Sequence, residues 1–229
     1  MQGEKRILNG GAGKETRRSQ IRVASFALHP PYGLASRRGA ADPIPPSTMP
    51  LPTSEEARAL LEQHVQDPYQ RLHATMVAAA MGGYAPRFEG DPHLWRLTGL
   101  LHDLDFERFP EQHPAEALRW FREWGYPEEM THAVEAHAHG YNGFTTLPRT
   151  PLAAALLACD ELCGIFYAYR RLNPVPYGQM KASSILKKVR EPSFAAKIDR
   201  STIQLGCQHL GVPLDAHVAN LVGFLAELP

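Results

Sequence analysis

The sequence predicts an all-α domain, and three observations carry that prediction. From Thr53 onward apolar residues recur at helical spacing in segment after segment. Asp67-Pro68 and Asp91-Pro92 each place a capping side chain before a proline, the pair that opens a helix. No run alternates with period two and no unit of 20–50 residues repeats, so neither strands nor a solenoid are expected.

The first expected helix follows Thr53, which with Glu56 forms a capping box ahead of Ala57, Leu60, Leu61 and Val65. A second, over about 69–82, carries Leu72, Met76, Val77, Ala80 and Met81 on one face, with His73 at its border. Its small residues, Ala74 and Ala78 to Ala80, permit close helix packing. The third runs from Pro92 to about Leu104 and is apolar around most of its circumference, which marks a central, buried helix. A fourth opens at His113-Pro114 and ends near Gly125. Pro127 opens a fifth, whose Glu128 and Glu129 suit a positive helix N-terminus; it bears Met130, Val134 and His137 and stops at His139-Gly140. The longest pattern, Pro151 to Leu172, places Asp160 amid apolar residues, where a carboxylate is costly without a partner. Three shorter helices, about 179–190, 193–210 and 214–228, complete the chain.

Residues 1–50 differ. They hold eight basic against three acidic residues, six Gly and six Pro, with no sustained apolar period. Such a segment buries too little surface to offset its ordering entropy, so it is expected to be a disordered extension. Gly10 to Glu15 lacks the first glycine and the final Ser or Thr of a phosphate-binding loop. Met49 offers an alternative start. The expected organisation is this extension, then one helical domain over 51–229, with its core at 53–172 and its C-terminal helices at 178–228.

Composition narrows the classes. Lys plus Arg equals Asp plus Glu at 24 each, so net charge gives no reason to propose nucleic acid or an anionic membrane as partner. Cys159, Cys163 and Cys207 form no CxxC pair, which argues against a disulfide framework or a cysteine zinc site and fits a reducing cytoplasm. No run of about 18 apolar residues predicts a membrane span.

Candidate chemistry centres on His102-Asp103, where an apolar helical run ends in two adjacent metal-type donors. Imidazole and carboxylate suit divalent ions from Mn, Fe, Co, Ni and Zn to, less well, Mg. His73, His102-Asp103 and Asp160 lie on separate predicted helices, with His113 and His137 between the last two. A cation would compensate Asp160 on its apolar helix. Asp105 and Glu107, just past the dipeptide, are placed to orient water or act as a general acid, or are plain surface carboxylates.

This order of His, His-Asp and Asp on helices resembles the HD-domain superfamily of metal-dependent phosphohydrolases over about residues 53–172. The stretch His102-Asp103-Leu104-Asp105, with His113-Pro114 and Ala136 to Gly140, is similar to the small HDIG-type proteins, although Leu104-Asp105 replaces the usual Ile-Gly. The resemblance implies an HD-type helical bundle in which His73, His102, Asp103 and Asp160 hold a first divalent metal. It further implies that His113 and His137 match the additional histidines of two-metal members, with Asp103 bridging and His139 as a substitute for His137. The implied activity is hydrolysis of a phosphomonoester or phosphodiester, of a nucleotide or another small phosphorylated metabolite. Asp103 and Asp105 are then the candidate catalytic carboxylates. Lys187, Lys188 and Arg190, in a basic stretch downstream, are candidate phosphate contacts or a solvated face. Two alternatives remain: a di-iron oxygenase of the same superfamily, and a metal-stabilised regulatory module without turnover.

Overall fold

A computed structural model of the chain describes residues 51–228; the expected disordered extension over 1–50 lies outside the described residues. The described residues form α-helices joined by turns, with no strand among them. In order these are α1 (Ser54–His64), α2 (Pro68–Tyr84), α3 (Pro92–Leu101), α4 (Ala115–Glu123), α5 (Glu128–His137), α6 (Pro151–Leu172), α7 (Ala182–Val189), α8 (Arg200–Leu210) and α9 (Leu214–Phe224).

The helix starts follow the caps read from sequence. Thr53 and Glu56 exchange both bonds of the capping box. Asp67 accepts from the Tyr69 and Gln70 amides, and Asp91 from that of His93. Some helices are shorter than expected, and two of these differences have a local cause. α3 stops at Leu101 because His102 takes the cap position and bonds back to the Gly99 carbonyl. The helix expected from 193 begins only at Arg200, after a tight turn. The Arg200 guanidinium donates to the carbonyls of Val189, Glu191, Phe194 and Ile198, which fixes 189–198 as a loop, and Asp199 caps α8.

α6 is the centre of the bundle and packs against α2, α5, α7 and α8. Thirteen of its 22 residues are buried. Its length and composition would allow it to cross a membrane, although it holds no unbroken apolar run of that length; burial within the bundle accounts for that apolarity. Small residues set the closest crossings. A Cβ on Gly99 of α3 would lie 2.8 Å from the Ala78 Cα of α2, so the predicted small face of α2 does receive a neighbouring backbone. A Cβ on Gly206 of α8 would lie 2.7 Å from the Ala158 Cα, two residues before Asp160.

Next to that crossing, His217 of α9 donates through Nε2 to the Ala158 carbonyl (2.9 Å) and accepts at Nδ1 from the Tyr84 hydroxyl (2.6 Å), which in turn accepts from Asn220. The imidazole is fully buried, and burial pushes it down to about 4, partly offset by its bond to Ala158.

Two outcomes follow from this packing. Gly206→Val should destabilise the fold by about 1–3 kcal/mol through overpacking at backbone, read as a lower urea midpoint with unchanged slope. His217 refuses a proton that the unfolded chain accepts near 6.5. Stability from this group therefore falls as pH drops from about 6.5 towards 4. Imidazole NMR should show His217 neutral, with the proton on Nε2, at pH 5.5; a midpoint near 6.5 would contradict the buried network.

Candidate metal centre

Four helices deliver the predicted donors to one place. His73 comes from the middle of α2, His102 and Asp103 from the end of α3, His137 from the last residue of α5, and Asp160 from the middle of α6; His113 precedes α4. The donors form two overlapping sets: His73, His102, Asp103 and Asp160 in one, and Asp103, His113 and His137 in the other. Within each set the nearest ligand atoms all lie within 4.8 Å of one another.

Asp103 stands between the sets and turns a different oxygen to each. Its Oδ2 is 3.4 Å from His102 Nε2 and 3.9 Å from His73 Nε2. Its Oδ1 is 3.4 Å from both His113 Nε2 and His137 Nε2. Asp160 Oδ1 lies 2.8 Å from His73 Nε2 and 3.4 Å from His102 Nε2. Donor atoms held about 2.1 Å from one ion in tetrahedral or octahedral geometry are about 3.0–3.4 Å apart. Most of these separations have that value.

Hydrogen bonding explains why a cation fits. His102 Nδ1 faces the Gly99 carbonyl (2.8 Å) and His137 Nδ1 faces the Val134 carbonyl, three residues back in each case. A carbonyl only accepts, so each Nδ1 carries the hydrogen and each neutral ring presents a bare Nε2. His113 Nδ1 donates to Asp105 Oδ1 (2.7 Å), with the same result. The Nε2 atoms of His113 and His137 then face each other at 3.2 Å with Asp103 beside them. His102 Nε2 is buried with no hydrogen-bond partner. Acceptors converging on acceptors repel unless a cation lies between them. His102 and His137 sit at the C-terminal ends of α3 and α5, whose partial negative charge favours that cation.

In the ion-free chain protons take its place. Burial opposes charging His102, but Asp103 and Asp160 overcome this and hold it well above the usual imidazole range. Burial would likewise raise Asp103, yet His102, His137 and His113 hold it well below the usual carboxylate range, and His102 and His73 do the same for Asp160. Glu161, next to Asp160, is pushed up to about 8 by burial and by the Asp160 charge, although the Asp199 amide donates to it. The side chains of Asp103 and Asp160 are 18% and 20% exposed while those of His102 and His113 are 0% and 4%. The carboxylate side is therefore the side open to a ligand.

Several expected roles change. Asp105 is neither a surface carboxylate nor a group facing water: it is fully buried, and its oxygens accept from His113 Nδ1 and from the Ala117 amide (3.0 Å). Glu107 accepts from the Gln66 and Asp67 amides and secures the entry to α2. His139 turns towards the Thr146 carbonyl, so His137 and not His139 joins the set. Lys188 pairs with Glu191 (2.7 Å) and lies over the Phe194 ring. Lys187 and Arg190 line a shallow cleft of about 670 Å³ on α7 with Ser183, Leu186, Glu191 and Pro192, a lining that includes none of the cluster residues. Cys159 and Cys163 are buried packing residues whose thiols burial pushes far up.

Residues 72–165 match the HD domain family, a span that contains all six donors. The chain carries an HD domain. Curated proteins give no match. The family match ends within α6, so α7 to α9 lie outside it. The matched span holds the His/Asp groups able to hold a divalent metal.

Metal loading should therefore stabilise the protein. Mn²⁺ at about 100 times its dissociation constant contributes about 2.7 kcal/mol, which for a domain of this size raises Tm by about 5–10 °C. His102→Ala, which removes the buried orphan donor, should lose most of that increment in a thermal melt with and without Mn²⁺.

Proposed function

We propose that this HD domain is a metal-dependent phosphohydrolase acting on a small phosphorylated metabolite such as a nucleotide, with each donor set taking one ion. The observation that carries the reading is Asp103, whose two oxygens face two separate groups of imidazoles, in which bonds at Nδ1 turn the Nε2 atoms of His102, His113 and His137 towards it. Divalent ions held by these residues would polarise a phosphoryl oxygen and lower the pKa of a coordinated water.

The chain's own groups supply the rest. His102, His113 and His137 are locked in orientation by acceptors behind them, so little reorganisation accompanies binding of a charged ligand. Asp103 and Asp160 border the open side and define where a phosphate approaches. Tyr69, whose ring lies 6.0 Å from that of His73, keeps its phenol proton because burial and then Asp160 raise its pKa. Its hydroxyl stays a hydrogen-bond donor beside the anionic carboxylates. The donor set of imidazole and carboxylate without thiolate suits Mn, Fe, Co, Ni or Zn.

The test uses anaerobically purified protein, loaded in turn with Mn²⁺, Fe²⁺ and Zn²⁺ and offered nitrophenyl phosphate, bis-nitrophenyl phosphate and a nucleotide panel. Turnover is expected with at least one ion, and Asp103→Asn should reduce it to background while far-UV circular dichroism stays unchanged. Oxygen uptake by the iron-loaded protein without phosphoester turnover would replace this reading with the di-iron oxygenase. Silence across ions and substrates would favour a binding module.

A further inference from the structure

Asp105 is a buried carboxylate that touches neither the open side of the site nor any predicted ligand atom of the first donor set. It has no exposed surface, and its two oxygens have one partner each: His113 Nδ1 at 2.7 Å and the Ala117 amide at 3.0 Å. Ala117 is in the first turn of α4, where the cap residue, Pro114, makes no side-chain bond. One carboxylate therefore joins the N-terminus of α4 to the imidazole that precedes it.

The partner histidine is held from its backbone as well. The Asn142 amide donates to the carbonyls of His113 (2.8 Å) and Pro110 (2.9 Å), from a backbone φ of 45° that Asn tolerates better than most residues. The rings of Phe106 and Tyr141 stand 5.2 and 5.9 Å from the His113 ring, both close to edge-on. Loop 105–113 and loop 139–144 thus grip one imidazole between them.

The two donor sets differ in how they depend on such help. The first holds two carboxylates and two imidazoles. The second has two imidazoles and only the shared Asp103, so its attraction for an ion rests on the orientation and basicity of His113 and His137. His137 is oriented by a neutral carbonyl, but His113 is oriented by a full negative charge. An anion bonded to Nδ1–H raises the donor strength of the opposite nitrogen and adds a third negative charge near an ion pair carrying four positive ones.

We propose that Asp105 is the positioning residue for the second ion: by fixing His113 with the proton on Nδ1 it decides whether the set of Asp103, His113 and His137 is filled, while the first set fills without it. This rests on the two-ion reading above. The sequence alone suggested a water-orienting role for Asp105, and its burial is what redirects the assignment.

The experiment counts Mn²⁺ per chain by elemental analysis across a Mn²⁺ titration and records the electron paramagnetic resonance spectrum of each state. Wild-type protein should take two ions and show the exchange-coupled spectrum of neighbouring Mn²⁺. Asp105→Asn keeps an acceptor for only one of its two partners, so it should retain the first ion, weaken the second by about 10–100-fold, and show an isolated six-line signal at intermediate Mn²⁺. His113→Ala, which lacks the ligand itself, is the reference for complete loss of the second ion. Asp105→Asn with lower thermal stability but wild-type affinity for both ions would reduce Asp105 to a cap for α4 and overturn the inference. Wild-type protein that takes a single ion would overturn the two-ion reading, a different failure visible before any variant is made. If Asp105→Asn does not fold, Zn²⁺-loaded wild type decides by NMR: a slowly exchanging His113 Nδ1–H supports the assignment, and a proton on Nε2 refutes it.

Discussion

The structure depends on what lies behind three imidazoles. Carbonyls at the ends of α3 and α5, and the carboxylate of Asp105, each occupy an Nδ1 and turn the opposite nitrogen towards Asp103. A free imidazole chooses its tautomer by small energy differences, whereas these have no choice. The same bonds that satisfy the last carbonyls of two helices thereby build a site with an excess of acceptors. Helix termination and metal affinity are one arrangement seen from two sides.

For that arrangement to close, backbones must approach more closely than ordinary side chains allow. Gly99 against Ala78 brings α3 down on α2 and puts the His73 and His102 rings 5.4 Å apart. Gly206 against Ala158 presses α8 onto α6 one half-turn before Asp160, and the His217 network takes up the Ala158 carbonyl beside the same crossing. α6 can carry a carboxylate at its centre because the cations or protons opposite compensate it, and it stays in register because small residues leave no slack around it. The C-terminal helices, outside the family match, therefore bear on the position of Asp160 through packing alone.

Much of this was legible in the amino-acid order. Caps at Thr53, Asp67 and Asp91, apolar spacing, and the small face of α2 gave helix starts and one of the closest packing contacts. The spacing of His73, His102-Asp103 and Asp160, with the resemblance it supports, pointed to residues that the fold does bring together. What sequence could not provide was depth. Asp105 and Glu107 read as loop carboxylates two residues apart, yet one is buried behind a histidine and the other secures a helix entry 40 residues away in sequence. His137 is the last residue of α5 and His139 lies two positions past it, and the change of backbone direction there separates a donor from a loop anchor. The delayed start of α8 likewise follows from one guanidinium collecting four carbonyls, a non-local event that periodicity does not encode.

The inequality of the two donor sets has a further physical consequence. On the two-ion proposal, an ion held by the first set would draw charge from Asp103, and the same carboxylate would offer less to a second. Repulsion between the ions would add to that loss, weakly screened in a partly desolvated pocket. Binding of the two would then be anticooperative unless something outside the shared carboxylate favoured the second. Besides the shared Asp103, the carboxylate bonded to one of those rings is Asp105, and it is buried where water does not dilute its charge. With one shared carboxylate and one private anion behind its weaker half, the proposed two-ion site would fill in order, first at the α2–α3–α6 junction and then beside α4 and α5.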